Sequence, residues 1–166
     1  QVEADRFRRP TTPVDLTAIV RQTIEQLQAS DQARAADLVT NIPDTQQQIM
    51  GDWPQLSQLV HNIISNALKY GRPATPETVG LHADGNRVTL TVTDQGDGIA
   101  SDHLPRLTER FYRVDEARSR SVGGTGLGLA IVKHIAERHQ GQLDIDSELG
   151  RGTRVAVTFP LAHRDR

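Results

Sequence analysis

A chain of 166 residues, 36% apolar and 24% charged, has the size and composition of one globular domain, and these figures exclude a disordered or low-complexity polymer. Nineteen basic against 21 acidic residues leave a net charge of −2, so nothing in the total draws the protein to nucleic acid or to an anionic membrane. The absence of cysteine excludes disulfides, thiolate nucleophiles and cysteine metal sites, and no apolar run approaches the ~18 residues of a membrane span. No signal-peptide pattern is present. A start without Met, and with Arg6, Arg8 and Arg9 around Phe7, is expected of a fragment whose first residues are a linker.

Pro13-Val14-Asp15-Leu16 is expected to open a helix, with Asp15 as N-cap and Leu16, Ile19, Val20, Thr23, Ile24 and Leu27 on one buried stripe, fading near Ala33. Two short strands follow, Asp37 to Ile42 and Gln47 to Gly51, separated by a Pro43-Asp44 turn. A second helix is capped by Asp52, tolerates Pro54 in its first turn, and carries a broad apolar face from Leu56 to Leu68; Gly71 stands where a C′ glycine belongs. A hairpin comes next, Thr78 to Asp84 and Arg87 to Asp94 around Gly85-Asn86. From Gln95 to Gly124 periodicity is lost, apart from a short turn near Ser101 to Leu104. A third helix is expected over Thr125 to Gln140, ended by Gly141, before strands at Gln142 to Ser147 and Thr153 to Phe159. Mixed helices and hairpins predict an α+β two-layer sandwich with a mixed sheet.

Three segments stand out chemically. At the helical pitch, Asn62, Asn66 and Lys69 fall within an arc of about 60°, with Tyr70 about 40° beyond. Two amides and an ammonium on one wall can hold a metal ion and a phosphate; a solvated helix face explains them as well. Asp94 shares the parity of Val88, Leu90 and Val92, so its carboxylate points to the buried side of the sheet, where it needs donors. It opens Asp94-Gln95-Gly96-Asp97-Gly98-Ile99, whose glycines permit close backbone approach to a ligand; adenine's exocyclic amine is a suitable donor, and an Asx-turn within the loop is the alternative. The third, Gly123-Gly124-Thr125-Gly126-Leu127-Gly128-Leu129, leads into a helix and offers amide N–H groups to an anion. It is neither a Walker motif, because Leu129 stands where Lys is required, nor a Rossmann fingerprint, because Ile131 replaces the third glycine. Between the two glycine segments, Arg110-Phe111-Tyr112-Arg113-Val114-Asp115 and the polar residues after it suggest a lid hinged on Gly123-Gly124, with Arg113 able to reach a terminal phosphate. Arg118 and Arg120 are explained equally by solvation of an exposed loop.

Together these segments resemble the catalytic and ATP-binding domain of bacterial sensor histidine kinases, in the GHKL superfamily that includes gyrase, the ninety-kilodalton heat-shock chaperone and the mismatch-repair ATPases. His61 to Tyr70 is similar to the family's N box, Asp94 to Ile99 to its first glycine box, Arg110 to Arg113 to its F box, and Gly124 to Leu129 to its second glycine box. Any one is weak, whereas four in the family's order are specific. The wording of Phe111 to Arg120 and of Gly123 to His134 is closest to the phosphate-sensing type.

The resemblance implies a Bergerat-type fold, a five-stranded mixed sheet packed against three helices, binding ATP and Mg²⁺. Residues 1–12 would be the linker, 13–160 the catalytic domain and 161–166 a tail. Asn66 would coordinate Mg²⁺, and Asn62 and Lys69 would hold phosphates. Tyr70 would stack near the adenine and Asp94 would accept from its amine, with Gly96, Gly98 and Ile99 shaping that loop. Arg113 would contact the γ-phosphate beside Phe111 and Tyr112, and Gly124, Thr125, Gly126, Leu127, Gly128 and Leu129 would form the lid end. Asn62, Lys69 and Arg113 are the expected catalytic group.

Hydrolytic members of the superfamily place a Glu one turn before the metal-binding Asn, and here that position is Asn62, which cannot act as a base. Phosphoryl transfer to a partner is therefore expected over hydrolysis. None of His61, His82, His103, His134, His139 or His163 is followed by Asp or Glu, so the phosphoacceptor is expected on a separate dimerisation domain, and the six are read as surface or structural histidines. The implied partners are that domain and a response regulator, with no nucleic acid and no direct membrane contact. The implied location is the cytoplasmic side of a parent anchored in the bacterial inner membrane. A degenerate regulatory or interaction module and a GHKL ATPase are the other readings.

Overall fold

Alternation of Val88, Leu90 and Val92 with Thr89, Thr91 and Thr93 puts one face of a strand in the core, and the rest of the sheet is arranged around that strand. The computed structural model describes residues 9–30, 38–71, 75–99 and 128–162. Within them the elements run β1 (Pro13–Asp15), α1 (Leu16–Ala29), β2 (Val39–Asn41), β3 (Gln48–Met50), α2 (Trp53–Tyr70), β4 (Thr78–Asp84), β5 (Arg87–Asp94), α3 (Gly128–Arg138), β6 (Gln142–Glu148) and β7 (Gly152–Pro160). The main sheet has five strands in the order β2-β4-β5-β7-β6; β2 and β4 run parallel and the other pairs antiparallel. It is therefore a mixed sheet backed by three helices, as the sequence predicts.

The β4–β5 hairpin has the predicted bounds, with Gly85 at φ +61 in the two-residue turn. Val79, Leu81, Val88, Leu90, Val92, Val157 and Phe159 face Leu16, Ile19, Leu59, Val60, Ile63, Ile64, Val132 and Ile135 of the helices in one core. No helix among the described residues is long and apolar enough to cross a membrane.

Several local expectations are corrected. Pro13–Asp15 forms a strand before the helix, because it pairs with β3 in the register Val14↔Ile49. Asp15 still caps α1, its Oδ1 accepting the Thr17 N–H at 3.0 Å and also the Gln47 N–H at 3.1 Å. The helix stops at Ala29, since Ser30 turns back and donates both its N–H and its hydroxyl to the Leu27 carbonyl. The two short strands are trimmed to three residues each. Gly71 ends α2 in an extended conformation, φ −70, and uses none of its left-handed freedom.

At the end of α3 the left-handed residue is Gln140, at φ +58, and not Gly141. Gln140 N–H reaches the Glu137 carbonyl at 3.1 Å and Gly141 N–H the Ala136 carbonyl at 2.7 Å, the two bonds of a Schellman motif. Gly141 is required for another reason: a Cβ there would lie 2.9 Å from both Phe159 Cδ1 and the Thr158 carbonyl oxygen. Outside the sheet, Thr12 accepts from Gly51 N–H, and the N–H groups of Leu161 and Ala162 bond to the carbonyls of Asn86 and Gln48.

Asp52 makes no side-chain cap on α2; its own N–H donates to Nε2 of His139 at 3.1 Å. That assigns the ring proton to Nδ1, which donates to the Ile135 carbonyl at 2.8 Å. His139 is 4% exposed and meets Phe159 edge to face, with centroids 6.3 Å apart. Burial pushes its pKa below the ordinary 6.5, and Arg138 adds to this, while the Ile135 bond and the charge of Asp52 oppose it. His61, His82 and His134 are exposed.

A lowered folded-state pKa means that below pH 6.5 the unfolded chain takes up the proton first. Stability contributed by neutral His139 is thus complete above pH 6.5 and is lost as the pH falls through that value toward the folded pKa. Urea unfolding at pH 7.5 and 5.5 should show a larger loss for the wild type than for His139→Gln, and equal losses would refute the assignment.

Candidate functional site

Helix α2 turns Leu56, Leu59, Val60, Ile63, Ile64, Ala67 and Leu68 into the core, which fixes its rotation. Asn62 and Asn66 consequently sit half-buried on its flank, with Lys69 exposed one turn further on. The side chain of Tyr70 lies outside the described residues. Helix α3 packs against α2 and brings its first residue to this flank: a Cβ on Gly128 would lie 4.0 Å from Asn66 Oδ1. Among the described residues α3 starts at Gly128, so an amide oxygen and the first described turn of a helix meet at one place. That combination suits an anion carrying a cation.

The donor set also fits a hard divalent ion. Among the described residues no group of three or more His, Asp or Glu can hold a metal. A cation at Asn66 would take that amide oxygen together with oxygens of its anion and of water, which is the habit of Mg²⁺.

Asp94 ends β5 on its buried face and is 8% exposed. Its Oδ1 accepts the Gly96 N–H at 2.8 Å, so the Asx-turn is present, and it fixes the direction of the carboxylate. Gly98 stands at φ +77, where a Cβ would overlap the Glu148 carbonyl, and Gly152 at φ +123, where a Cβ would overlap the Asp94 carbonyl. Gly96 is buried, and Gly98 and Ile99 are half-buried.

The support of this loop comes from residues outside the motifs named in the sequence. Gly150 N–H donates to the Asp97 carbonyl at 2.8 Å, and Ile99 N–H to the hydroxyl of Ser147 at 2.8 Å. The spacing Ser147-x-x-Gly150-x-Gly152 was the available signal, legible only with the knowledge that the β6–β7 turn lies against the end of β5. Of the remaining site residues, Leu129 is half-buried at the start of α3 beside Gly128. Phe111, Tyr112, Arg113, Gly124, Thr125, Gly126 and Leu127 lie outside the described residues, as do the expected lid and the turn at Ser101 to Leu104.

Residues 51–163 match the family described as histidine kinase-, DNA gyrase B-, and HSP90-like ATPase. The sensor-like histidine kinase SenX3 of Mycolicibacterium smegmatis is 37% identical over 147 residues, which cover 89% of this chain and 38% of that protein. The mycobacterial sensor histidine kinase MprB has a solved structure that superposes with a TM-score of 0.76 at 31% identity, covering 91% of this chain and 97% of that one. Full-length ShkA, solved in complex with AMPPNP, superposes with a TM-score of 0.74 at 29% identity over 96% of this chain and 33% of its own. The chain thus spans well under half the length of the full-length proteins it matches.

The contacts at Gly152 carry a stability prediction. Gly152→Ala must move β7 or the Asp94 carbonyl and adopt a positive φ, so it should cost more than about 1 kcal/mol. Denaturant unfolding measures this, and a variant as stable as the wild type would show that the close approach is not needed.

Proposed function

Since the chain belongs to the family of histidine kinase-, DNA gyrase B- and HSP90-like ATPases, and is the ATP-binding catalytic domain of a sensor histidine kinase, we propose that it presents the γ-phosphoryl group of ATP to a histidine on another domain of its parent protein. The observation that carries this reading is the meeting of Asn66 Oδ1 with the first turn of α3 at Gly128. An amide oxygen beside a helix N-terminus suits a triphosphate accompanied by its metal.

In this reading Asn66 holds Mg²⁺, and Asn62 and Lys69 hold phosphate oxygens. Asp94 accepts from the adenine amine while Gly96, Gly98 and Ile99 shape the loop around the base. Tyr70, Phe111, Tyr112, Arg113 and residues 124–129 join the site on the strength of the sequence resemblance, Arg113 toward the γ-phosphate. Bound Mg²⁺ supplies neutralisation of the phosphate charge. The chain's own residues orient the triphosphate so that a lone pair on the incoming imidazole lies in line with the bridging P–O bond that breaks as ADP departs.

A neutral imidazole attacks through a ring nitrogen that carries no proton, so no general base is needed where Asn62 stands. Water would need one. Transfer to histidine is therefore favoured over hydrolysis, and the isolated chain should bind ATP without phosphorylating itself. Residues 13–160 would form the catalytic unit, with 1–12 as the linker from the phosphoacceptor and dimerisation domain and 161–166 as a tail. The other partner would be a response regulator, and the place of work the cytoplasmic side of a parent anchored in the inner membrane.

Calorimetric titration with a nonhydrolysable ATP analogue, with and without Mg²⁺, tests the reading. Asn66→Ala should weaken binding in Mg²⁺ about tenfold or more while the melting temperature is kept, on the scale of one interaction with a charged group. Asp94→Asn should lower the ratio of ATP to GTP affinity. No binding by folded wild type would favour a regulatory module that has lost its nucleotide, and steady ATP turnover abolished by Asn66→Ala would favour an ATPase.

A further inference from the structure

The turn between β6 and β7 carries none of the residues assigned above to ATP, yet it holds the Asp94–Ile99 loop by directed bonds. Ser147 Oγ accepts the Ile99 N–H at 2.8 Å, donates to the Gly152 carbonyl at 3.0 Å and lies 2.8 Å from Thr153 Oγ1. A hydroxyl has one proton and two lone pairs. With the proton on Gly152 and one lone pair taken by Ile99, the Thr153 hydroxyl must donate into the second. Ser147 is saturated, and each of its bonds fixes one direction of the group.

Two further contacts tie the same turn to the same loop. Gly150 N–H reaches the Asp97 carbonyl at 2.8 Å, and the backbones at Gly98 and Gly152 approach those at Glu148 and Asp94 too closely for any Cβ. The loop backbone in turn aims the Asp94 carboxylate through the Gly96 N–H. A continuous set of contacts thus runs from Ser147 to the group that would read the base.

We propose that Ser147 is a positioning residue for base selectivity: by holding Ile99 it keeps the loop in the path that points Asp94 at the exocyclic amine of an adenine nucleotide. The inference rests on the reading of Asp94 as the base acceptor. It assigns Ser147 no contact with nucleotide. Thr153 shares the role as the donor into Ser147. A hydroxyl is needed at this position, because a methyl group can neither accept from Ile99 nor donate to Gly152.

The test uses the full chain and four ligands, the nonhydrolysable ATP analogue, its guanine counterpart, adenosine and inorganic tripolyphosphate, all with Mg²⁺. Ser147→Ala should weaken the ATP analogue and adenosine about five- to tenfold, on the scale of one or two lost hydrogen bonds. Tripolyphosphate affinity should stay at its wild-type value, and Ser147→Thr should restore adenosine affinity. An unchanged ratio of ATP to GTP affinity in Ser147→Ala, an equal loss for tripolyphosphate, or no rescue by Thr would overturn the proposal.

Asp94→Asn, measured alongside, separates the two levels. If it alters the ratio while Ser147→Ala does not, only the positioning role falls; if it leaves the ratio unchanged, the base-acceptor reading falls and takes this inference with it. Should Ser147→Ala fail to fold, Thr153→Val decides in its place, with loss of base selectivity in support and wild-type selectivity against.

Discussion

Asp94 ends a strand whose other inward side chains are Val88, Leu90 and Val92, and a carboxylate in that company is tolerated only while it accepts hydrogen bonds. Much of the candidate site follows from meeting this demand. The Gly96 N–H must turn back onto it, which requires a tight loop directly after β5. The loop then needs outside support, and the β6–β7 turn provides it through Ser147 and Gly150. Since β7 pairs with β5 along its whole length, down to Asp94 opposite Thr153, the support is delivered by the sheet itself.

The second wall depends on a different constraint. Helix α2 can rotate no further than its seven buried apolar side chains from Leu56 to Leu68 allow, and that rotation leaves Asn62 and Asn66 at the margin of the core. Both walls therefore take their geometry from one packed interior. Residues with no polar role, such as Val92 and Ile63, hold the polar ones in register by filling space between helix and sheet.

Features governed by short-range rules were legible in the sequence. Alternation over Val88 to Val92 and the Gly85-Asn86 turn gave the β4–β5 hairpin, and a wide apolar stripe with Gly71 after it gave α2. The segment Pro13 to Asp15 was misread because its strand identity comes from β3, more than thirty residues away, while its own residues look like a helix start. His139 is indistinguishable in sequence from the other five histidines, since only the tertiary fold places the Asp52 N–H against its ring. Of the site, the residues on α2 and the Asp94 loop could be named from pattern. Ser147 could not, because nothing local distinguishes a serine that holds another loop from one that faces water.

The saturation of Ser147 and the close approaches at Gly98 and Gly152 also divide the β6–β7 turn by how freely it can drift. Glu148, Leu149 and Arg151 point outward, Leu149 with 65% of its surface exposed, and their side chains are open to replacement during divergence. Ser147 and Gly152 are not, because one has every hydrogen-bonding direction taken and the other lies too close to the Asp94 carbonyl for a side chain. In an alignment of descendants both positions would stay fixed by contacts made inside the protein itself.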